Sequence, residues 1–197
     1  MSQWKGSALT GGSGDREREP EDYYATPYST TQALLEVLPP LSGKILEPCV
    51  GGGHIARTIQ EAYPEVEIKG YDLVNRGFEG TVLTDFLTHG FNETFDHVIT
   101  NPPYSLAQPF LEKSLSLTKK GGVVAMFLKI QFLEGAKRKE LFKKHPPKYI
   151  YVFSKRQNPW RNGNQLDEKG KPWSSTMCFA WFVWEQGFKG ETVIRWL

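Results

Sequence analysis

Helical and strand patterns alternate along this chain from Tyr23 onwards, and this alternation restricts the fold more than any other feature. The continuous apolar run 122–128 is typical of a strand buried on both faces. The strand patterns cover 44–47, 66–71, 81–83, 95–100, 122–128, 149–153 and 177–184. The helical patterns include 33–38, 55–62, 106–117 and 134–144. This order predicts an α/β fold with a mostly parallel sheet and helices on both faces.

Polar side chains stand at the ends of four of these strands. They are Glu47, Asp72, Asp85 and Asn101. Ligands of parallel α/β sheets bind beyond the carboxyl ends of the strands, so these four side chains are expected to converge on one edge.

A glycine-rich turn, EPCVGGGHI at 47–55, connects a predicted strand to a predicted helix. Such a turn lets a ligand approach the backbone closely. The segment lacks the Lys-Ser/Thr ending of a P-loop, which disfavours ATP or GTP hydrolysis. Glu47 precedes the glycines, and its carboxylate would repel a pyrophosphate but attract an ammonium group. A tight turn without a ligand is the alternative.

The tetrapeptide Asn101-Pro102-Pro103-Tyr104 follows the strand 95–100. Two prolines restrict the backbone, so that an amide side chain and a carbonyl are held rigidly. Such a pocket can accept two hydrogen bonds from an exocyclic amine while the tyrosine stacks on the attached ring. The alternative is a proline turn that carries a surface tyrosine.

Together these motifs resemble the class I S-adenosylmethionine-dependent methyltransferases that act on exocyclic amines, specifically the N6-adenine DNA methyltransferases. The resemblance covers about residues 22–156 and rests on 22–27, 47–55, Asp72, 85–86 and 101–104. The segments 127–135 and 138–142 are similar to small phage and prophage members. The resemblance implies an adenine-specific DNA methyltransferase with a Rossmann-like sheet of seven mostly parallel strands and an antiparallel C-terminal strand.

The resemblance also implies S-adenosylmethionine as cofactor and S-adenosylhomocysteine as product. The implied cofactor-binding residues are Tyr24, Thr26, Pro27, Glu47, Pro48, Gly51, Gly53, Asp72, Asp85, Phe86 and Asn101. The residues at 24–27 would border the methionine part, and Glu47 would lie near its ammonium group. Asp72 would accept hydrogen bonds from the ribose hydroxyls. Asp85 would accept from the adenine amine, and Phe86 would pack on that ring.

The implied catalytic residues are Asn101, Pro102, Pro103 and Tyr104. The Asn101 side-chain oxygen and the Pro102 carbonyl would each accept an N–H bond from the target amine, whose lone pair is otherwise delocalised into the base. The methyl group would then move by direct displacement, without a covalent enzyme intermediate. Tyr104 would stack on an adenine flipped out of double-stranded DNA.

Basic residues concentrate in one part of the chain. Residues 1–128 carry a net charge of −6, whereas 129–171 carry +8. A basic segment on a mildly acidic body is typical of proteins that contact a polyanion, although a solvated helix face with a mobile loop is the alternative. The candidate nucleic-acid contacts are Lys129, Arg138, Arg156, Trp160, Arg161 and Lys171. The loop 154–175 would replace the recognition domain that the chain has no room for.

The remaining features concern domains, compartment and metals. Residues 1–22 are predicted to be a disordered tail, and 23–197 a single methyltransferase domain. Two widely spaced cysteines, Cys49 and Cys178, and the lack of a long apolar run favour a cytoplasmic protein with no membrane contact. The four histidines show no metal-binding spacing.

Three alternatives to DNA methylation stay open. The same chemistry can act on adenine in RNA. Some release-factor methyltransferases use Asn-Pro-Pro-Tyr on a glutamine amide of a protein, although their cofactor loops usually differ from the one at 47–53. The third alternative is a nucleic-acid-binding module that has this fold but no catalytic activity. The sequence leaves the target site and the oligomeric state undetermined.

Overall fold

The computed structural model describes residues 23–197, so the predicted tail at 1–22 lies outside the described residues. The strands are β1 Tyr24–Ala25, β2 Lys44–Glu47, β3 Glu67–Asp72, β4 Val82–Leu83, β5 Phe95–Thr100, β6 Thr118–Lys129, β7 Tyr149–Val152, β8 Trp160–Arg161, β9 Phe179–Glu185 and β10 Val193–Trp196. The α-helices are α1 Tyr28–Leu35, α2 His54–Ala62, α3 Ala107–Leu117 and α4 Ala136–Lys144. Short 3₁₀ turns cover Tyr104–Leu106 and Ile130–Leu133.

Within 23–197, the main sheet has the order β10-β7-β9-β6-β5-β2-β3-β4. Strand β9 is antiparallel to both of its neighbours, and the other pairs are parallel. The predicted α/β, mostly parallel, Rossmann-like fold is therefore confirmed. The predicted number of seven strands is wrong, because β10 adds an eighth at the edge beside β7. All four β10 residues are exposed although three of them are apolar, and so short a run was missed as a strand in the sequence.

Strand β6 shows why the sheet is covered on both faces. Its residues 123–128 are buried and alternate between two apolar clusters. Val124, Met126 and Leu128 share one cluster with residues of α3, whereas 123, 125 and 127 share the other with residues of α1 and α2. Burying a large apolar side chain contributes roughly 1.5–3 kcal/mol, so this two-faced core stabilises the sheet and fixes the strand ends.

The chain reverses its direction of progress across the sheet at β2. From β2 it adds β3 and β4 on one side, and it then returns to place β5 and β6 on the other. A crevice opens at such a switch point beyond the carboxyl ends of the two central strands. Here those ends are Glu47 on β2 and Thr100 on β5, and the predicted tetrapeptide starts directly after the latter.

The predicted loop 154–175 contains regular structure. Strand β8 lies within it and pairs with β1 as a separate two-stranded sheet. A turn then follows in which Asn162 and Gly163 have φ of 50° and 75°, and the Asn164 N–H donates to the Arg161 carbonyl at 3.1 Å. An Asn-Gly pair is a strong short-range signal for a tight turn, so the sequence pair Asn162-Gly163 could have predicted this turn.

Candidate cofactor and catalytic site

The ends of the central strands bring the predicted polar residues to one edge of the sheet. Leu46 pairs with Val98 on β5, and Glu47 pairs with Gly70 on β3. Asp72, at the end of β3, pairs with Leu83 of β4. The register therefore places Glu47 and Asp72 on neighbouring strand ends, with Asn101 following β5 and Asp85 following β4.

The glycine turn after β2 is held by the neighbouring strand. The Val50 N–H donates to the Tyr71 carbonyl at 2.9 Å, and the Gly51 N–H donates to Asp72 Oδ2 at 2.8 Å. Gly51 and Gly53 both have positive φ, of 52° and 78°. A Cβ atom at position 53 would also collide with the buried Phe78 ring. The turn therefore needs glycine at 53 for both conformation and space.

Glu47 is a buried carboxyl group with an open position. Its side chain is 2% exposed, and Oε2 has no hydrogen-bond partner. Burial raises its pKa well above the ordinary value, the nearby Asp72 raises it further, and a backbone hydrogen bond from Ala56 opposes the shift. A buried polar atom without a partner costs free energy, so an incoming donor such as an ammonium group would be stabilised there.

Two further carboxylates at the strand ends accept hydrogen bonds from backbone N–H groups. Asp72 accepts from Gly51 and, through Oδ1, from the Val74 N–H at 3.1 Å, which leaves lone pairs on both oxygens. Asp85 is exposed, and its Oδ1 accepts from the Leu87 N–H at 2.8 Å. These two carboxylates and Glu47 form a group of hydrogen-bond acceptors, whose chemistry suits the ammonium, hydroxyl and amine donors of S-adenosylmethionine.

Apolar residues border the same set. Phe86 is 2% exposed and packs on Phe110 with ring centroids 4.9 Å apart, so it is part of the core as well as a neighbour of Asp85. Pro48 is buried directly after Glu47. Thr26 and Pro27 are also buried, immediately before α1, and the Thr26 hydroxyl has no hydrogen-bond partner.

Tyr23 contacts the glycine turn, a role that the sequence analysis did not assign. Its ring lies 3.1 Å from where a Cβ would stand on Gly51, and the Arg76 guanidinium lies 4.3 Å from its ring centroid. Tyr24, which was predicted to bind the cofactor, is 45% exposed. The adjacent tyrosines carried no periodic signal that could have distinguished the inward ring from the outward one.

The side chain of Asn101 is anchored on the N-terminal segment. Its Nδ2 donates to the Tyr24 carbonyl at 2.9 Å, which orients the amide and leaves Oδ1 as the end that can accept from a substrate. Pro102 is buried and Pro103 is exposed. The tetrapeptide thus presents one fixed amide oxygen beside a restricted backbone.

Tyr104 is half-buried and points its hydroxyl inward. The hydroxyl is buried without a hydrogen-bond partner, and burial raises its pKa. The ring packs on Phe179 at 6.0 Å, and Lys129 Nζ lies 5.2 Å from the ring centroid. Lys129 therefore borders the surface on which a target base is predicted to stack.

The other predicted nucleic-acid contacts occupy different places. Arg138 lies 4.0 Å over the Phe132 ring and donates to Gln108 Oε1 at 3.0 Å, which joins α4 to α3. Arg156 donates to the Ser175 carbonyl at 2.9 Å, and Lys171 is exposed in the turn 167–171. Trp160 and Arg161 form β8, against the N-terminal segment.

Cys49 and Cys178 are free, and burial raises the pKa of the Cys49 thiol well above its usual value. A thiol of raised pKa is a poor nucleophile, which disfavours the cysteine chemistry of C5-cytosine methylation. Across residues 23–197 there is no group of three or more candidate metal ligands. No helix in that range has the length and apolarity of a membrane span.

Comparisons with known proteins were made for sequence and for structure. No family model matches the chain. Ribosomal RNA small subunit methyltransferase C of Shewanella sediminis is 29% identical over 113 residues, which are 47% of this chain and 33% of that protein. Its counterpart in Vibrio cholerae serotype O1 is 30% identical over 103 residues, which are 46% and 29%. The chain thus spans about a third of the length of these curated relatives.

Solved structures resemble most of the chain. A protein of Listeria monocytogenes described as a class I S-adenosylmethionine-dependent methyltransferase has a TM-score of 0.63 at 16% identity, covering 88% of this chain and 65% of that one. The type IIG restriction endonuclease BpuSI has a TM-score of 0.60 at 14% identity, covering 87% and 27%. The chain therefore has the fold of the class I S-adenosylmethionine-dependent methyltransferases.

Proposed function

We propose that this protein transfers a methyl group from S-adenosylmethionine to the N6 amine of adenine in DNA. The observation that carries the proposal is the anchored Asn101 amide. It follows the end of β5 at the switch point, and its Nδ2 is committed to the Tyr24 carbonyl. The oxygen of a fixed amide, next to a proline carbonyl, suits a substrate that offers two N–H groups.

The cofactor, when bound, supplies an electrophilic methyl group. Glu47 would receive the ammonium group at its open Oε2, and Asp72 would receive the ribose hydroxyls while it holds the glycine turn. Asp85 and Phe86 would lie on the adenine side. Residues 24–27 would border the methionine part.

The chain then positions the target amine. Asn101 Oδ1 and the Pro102 carbonyl would accept its two N–H groups and so direct the nitrogen lone pair at the methyl group. The nitrogen would take the methyl group as the bond from that carbon to the cofactor sulfur breaks, which leaves S-adenosylhomocysteine, and it would give up one proton to solvent. Tyr104 supplies a stacking surface for the flipped base, and Lys129 beside it supplies a cation for the adjacent phosphate. Positioning of two bound reactants can supply much of the rate enhancement.

A base amine in ribosomal RNA is the second candidate substrate. It is favoured by the curated relatives, which are named as ribosomal RNA methyltransferases. Both substrates are polyanions, and both agree with the basic segment 129–171. That segment is less suited to the third candidate, a glutamine amide of a protein.

The test separates these substrates directly. The full chain and its Asn101→Ala variant are expressed in bacteria that lack endogenous adenine methylation, and nucleosides from DNA and from ribosomal RNA are analysed by mass spectrometry. N6-methyladenine in DNA only with the wild-type chain is expected. A methylated base that appears in ribosomal RNA but not in DNA, with the wild-type chain and not with Asn101→Ala, would move the assignment to the second candidate. Methylated glutamine, found in peptides digested from the protein of the same cells, would move it to the third. A protein that neither binds nor consumes S-adenosylmethionine would be noncatalytic.

A further inference from the structure

Residues 157–163, here called the strap, lie across the N-terminal segment 23–30. Gln157 Oε1 accepts the buried Thr30 hydroxyl at 2.6 Å. Tyr24 and Ala25 of β1 pair with Arg161 and Trp160 of β8. The Asn162 N–H donates to the Tyr23 carbonyl at 2.8 Å. Hydrogen bonds thus connect the strap to the segment at both of its ends.

The strap also reaches the start of α2. Three rings are in mutual contact here. The Trp160 ring centroid lies 5.7 Å from that of Tyr28 and 5.6 Å from that of His54, and the centroids of Tyr28 and His54 lie 5.3 Å apart. His54 is the first residue of α2, directly after the glycine turn. Burial lowers the pKa of His54, as does the nearby Arg57, and both effects favour the neutral ring. The contacts among these three rings therefore connect the strap to the helix that follows the glycine turn.

Two contacts connect the held segment with the reaction site. The Tyr23 ring lies on the glycine turn, and the Tyr24 carbonyl accepts the Asn101 amide. Strand β1 has only two residues, and β8 is its sheet neighbour within 23–197. A ribbon this short is marginal by itself, so the position of the Tyr24 carbonyl depends on the strap and its side-chain anchors.

We propose that the strap is a positioning element that couples the cofactor pocket to the Asn101 amide. This inference rests on the proposed function and adds a role for the first half of the loop 154–175. When the strap is seated, the Tyr23 ring closes the glycine turn and the Tyr24 carbonyl keeps Asn101 Oδ1 directed at the target amine. When it is loosened, cofactor affinity and methyl transfer fall together.

A glycine pair in the loop provides a matched test. Gly163 has φ +75°, and a Cβ there would lie 2.5 Å from the Tyr23 hydroxyl. Gly170 has φ +69°, and a Cβ there would meet nothing within 4 Å. Gly163→Ala and Gly170→Ala therefore impose similar backbone strain, but the first alone pushes the strap off Tyr23. Thr30→Val removes the Gln157 bond with little change of shape, as a milder second variant.

Three measurements follow on the full chain. Hydrogen exchange of residues 23–27 reports strap seating without any ligand. Calorimetry with S-adenosylhomocysteine reports the pocket. The kcat at saturating S-adenosylmethionine, expressed per S-adenosylhomocysteine-binding site, reports the orientation of Asn101 separately from loss of folded protein. In Gly163→Ala we expect faster exchange, and affinity and kcat each lower by about tenfold, since misplacement near 1 Å costs that much or more.

The outcomes separate this inference from the proposed function. Two results together support the proposed role of the strap. Gly170→Ala should keep the wild-type exchange, affinity and kcat, and Thr30→Val should change all three in the same direction as Gly163→Ala. Wild-type exchange, affinity and kcat in both Gly163→Ala and Thr30→Val would overturn it, as would equal losses in the two glycine variants. The strap and the substrate can also be judged separately. If the wild-type protein methylates a substrate other than adenine in DNA, and Gly163→Ala and Thr30→Val still show the expected losses, the proposed substrate is contradicted and the strap is supported.

Discussion

Asn101 Nδ2 donates a 2.9 Å hydrogen bond to the main-chain carbonyl of Tyr24, a residue 77 positions earlier in the chain. This bond sets the direction of the amide at the end of β5. It also joins the tetrapeptide to the segment that lies on the glycine turn. One side chain thus connects the predicted cofactor and substrate halves of the site.

Replacing Asn101 with alanine is expected to abolish methyl transfer and to leave S-adenosylhomocysteine affinity nearly intact. The reason is that Oδ1 is proposed to accept from the target amine, while β8 and Asn162 still hold the backbone of Tyr23 and Tyr24 in the variant. Calorimetry and a methylation assay on the same preparation provide the check. Activity within about twofold of wild type, or about 0.4 kcal/mol in the barrier, would remove Asn101 from the catalytic role.

Asp72→Ala is expected to weaken cofactor binding, with transfer partly restored by excess S-adenosylmethionine. The variant loses the acceptor for the ribose hydroxyls and also for the Gly51 and Val74 N–H groups. Hydrogen bonds to a charged group are worth about 1.5–3 kcal/mol, so the dissociation constant should rise by about tenfold or more. Asp72→Asn keeps one acceptor oxygen and is the control, with a smaller loss. An unchanged dissociation constant in Asp72→Ala would mean that the ribose is held elsewhere.

Much of the sheet could be predicted because its signals are local. The run 122–128 is apolar throughout since successive residues of β6 face two different buried clusters. The strands that lead to Glu47, Asp72 and Asn101 end at polar residues, and parallel geometry is sufficient to bring such ends to one edge.

The rest depends on contacts that no local pattern encodes. Pairing of Tyr24 with Arg161 joins two-residue strands far apart in the chain, so neither shows an alternation of polar and apolar residues. Strand β10 is a four-residue run at an exposed edge, and its sequence shows no strict alternation of apolar and polar residues. Arg138 was selected as a cation for nucleic acid, and only the fold shows its guanidinium over Phe132.

Cofactor binding is expected to release a proton from Glu47. Burial raises the pKa of this carboxyl group, so the free protein keeps the proton to higher pH than an ordinary glutamate. An ammonium group at Oε2 favours the carboxylate, so the affinity should increase with pH between the ordinary and the raised pKa. By the same linkage, this group makes the free protein less stable as pH rises through that interval.

Calorimetry with S-adenosylhomocysteine in two buffers of different ionisation enthalpy measures the released proton. Glu47→Gln is the matched control, because it keeps the shape and cannot titrate. It should bind more weakly, without proton release and without the rise of affinity with pH. Equal proton release in the wild type and in Glu47→Gln would show that another group titrates.

Two arginines of the loop 154–175 are predicted to bind nucleic acid. Arg156→Ala combined with Arg161→Ala is expected to weaken DNA binding, because the two side chains would contact phosphates on the loop 154–175. Each phosphate contact adds about 0.9 to the salt slope on B-DNA, so the slope should flatten by about 1.8. The affinity for S-adenosylhomocysteine should not change, since alanine keeps the β1–β8 backbone pairs. The control is Lys119→Ala combined with Lys120→Ala, which removes the same amount of positive charge at the start of β6, the end away from the candidate site. This control should leave the salt slope at its wild-type value. A wild-type slope and affinity in the Arg156 and Arg161 double variant would show that DNA is held elsewhere, and the exposed lysines of α4 would be the next residues to replace.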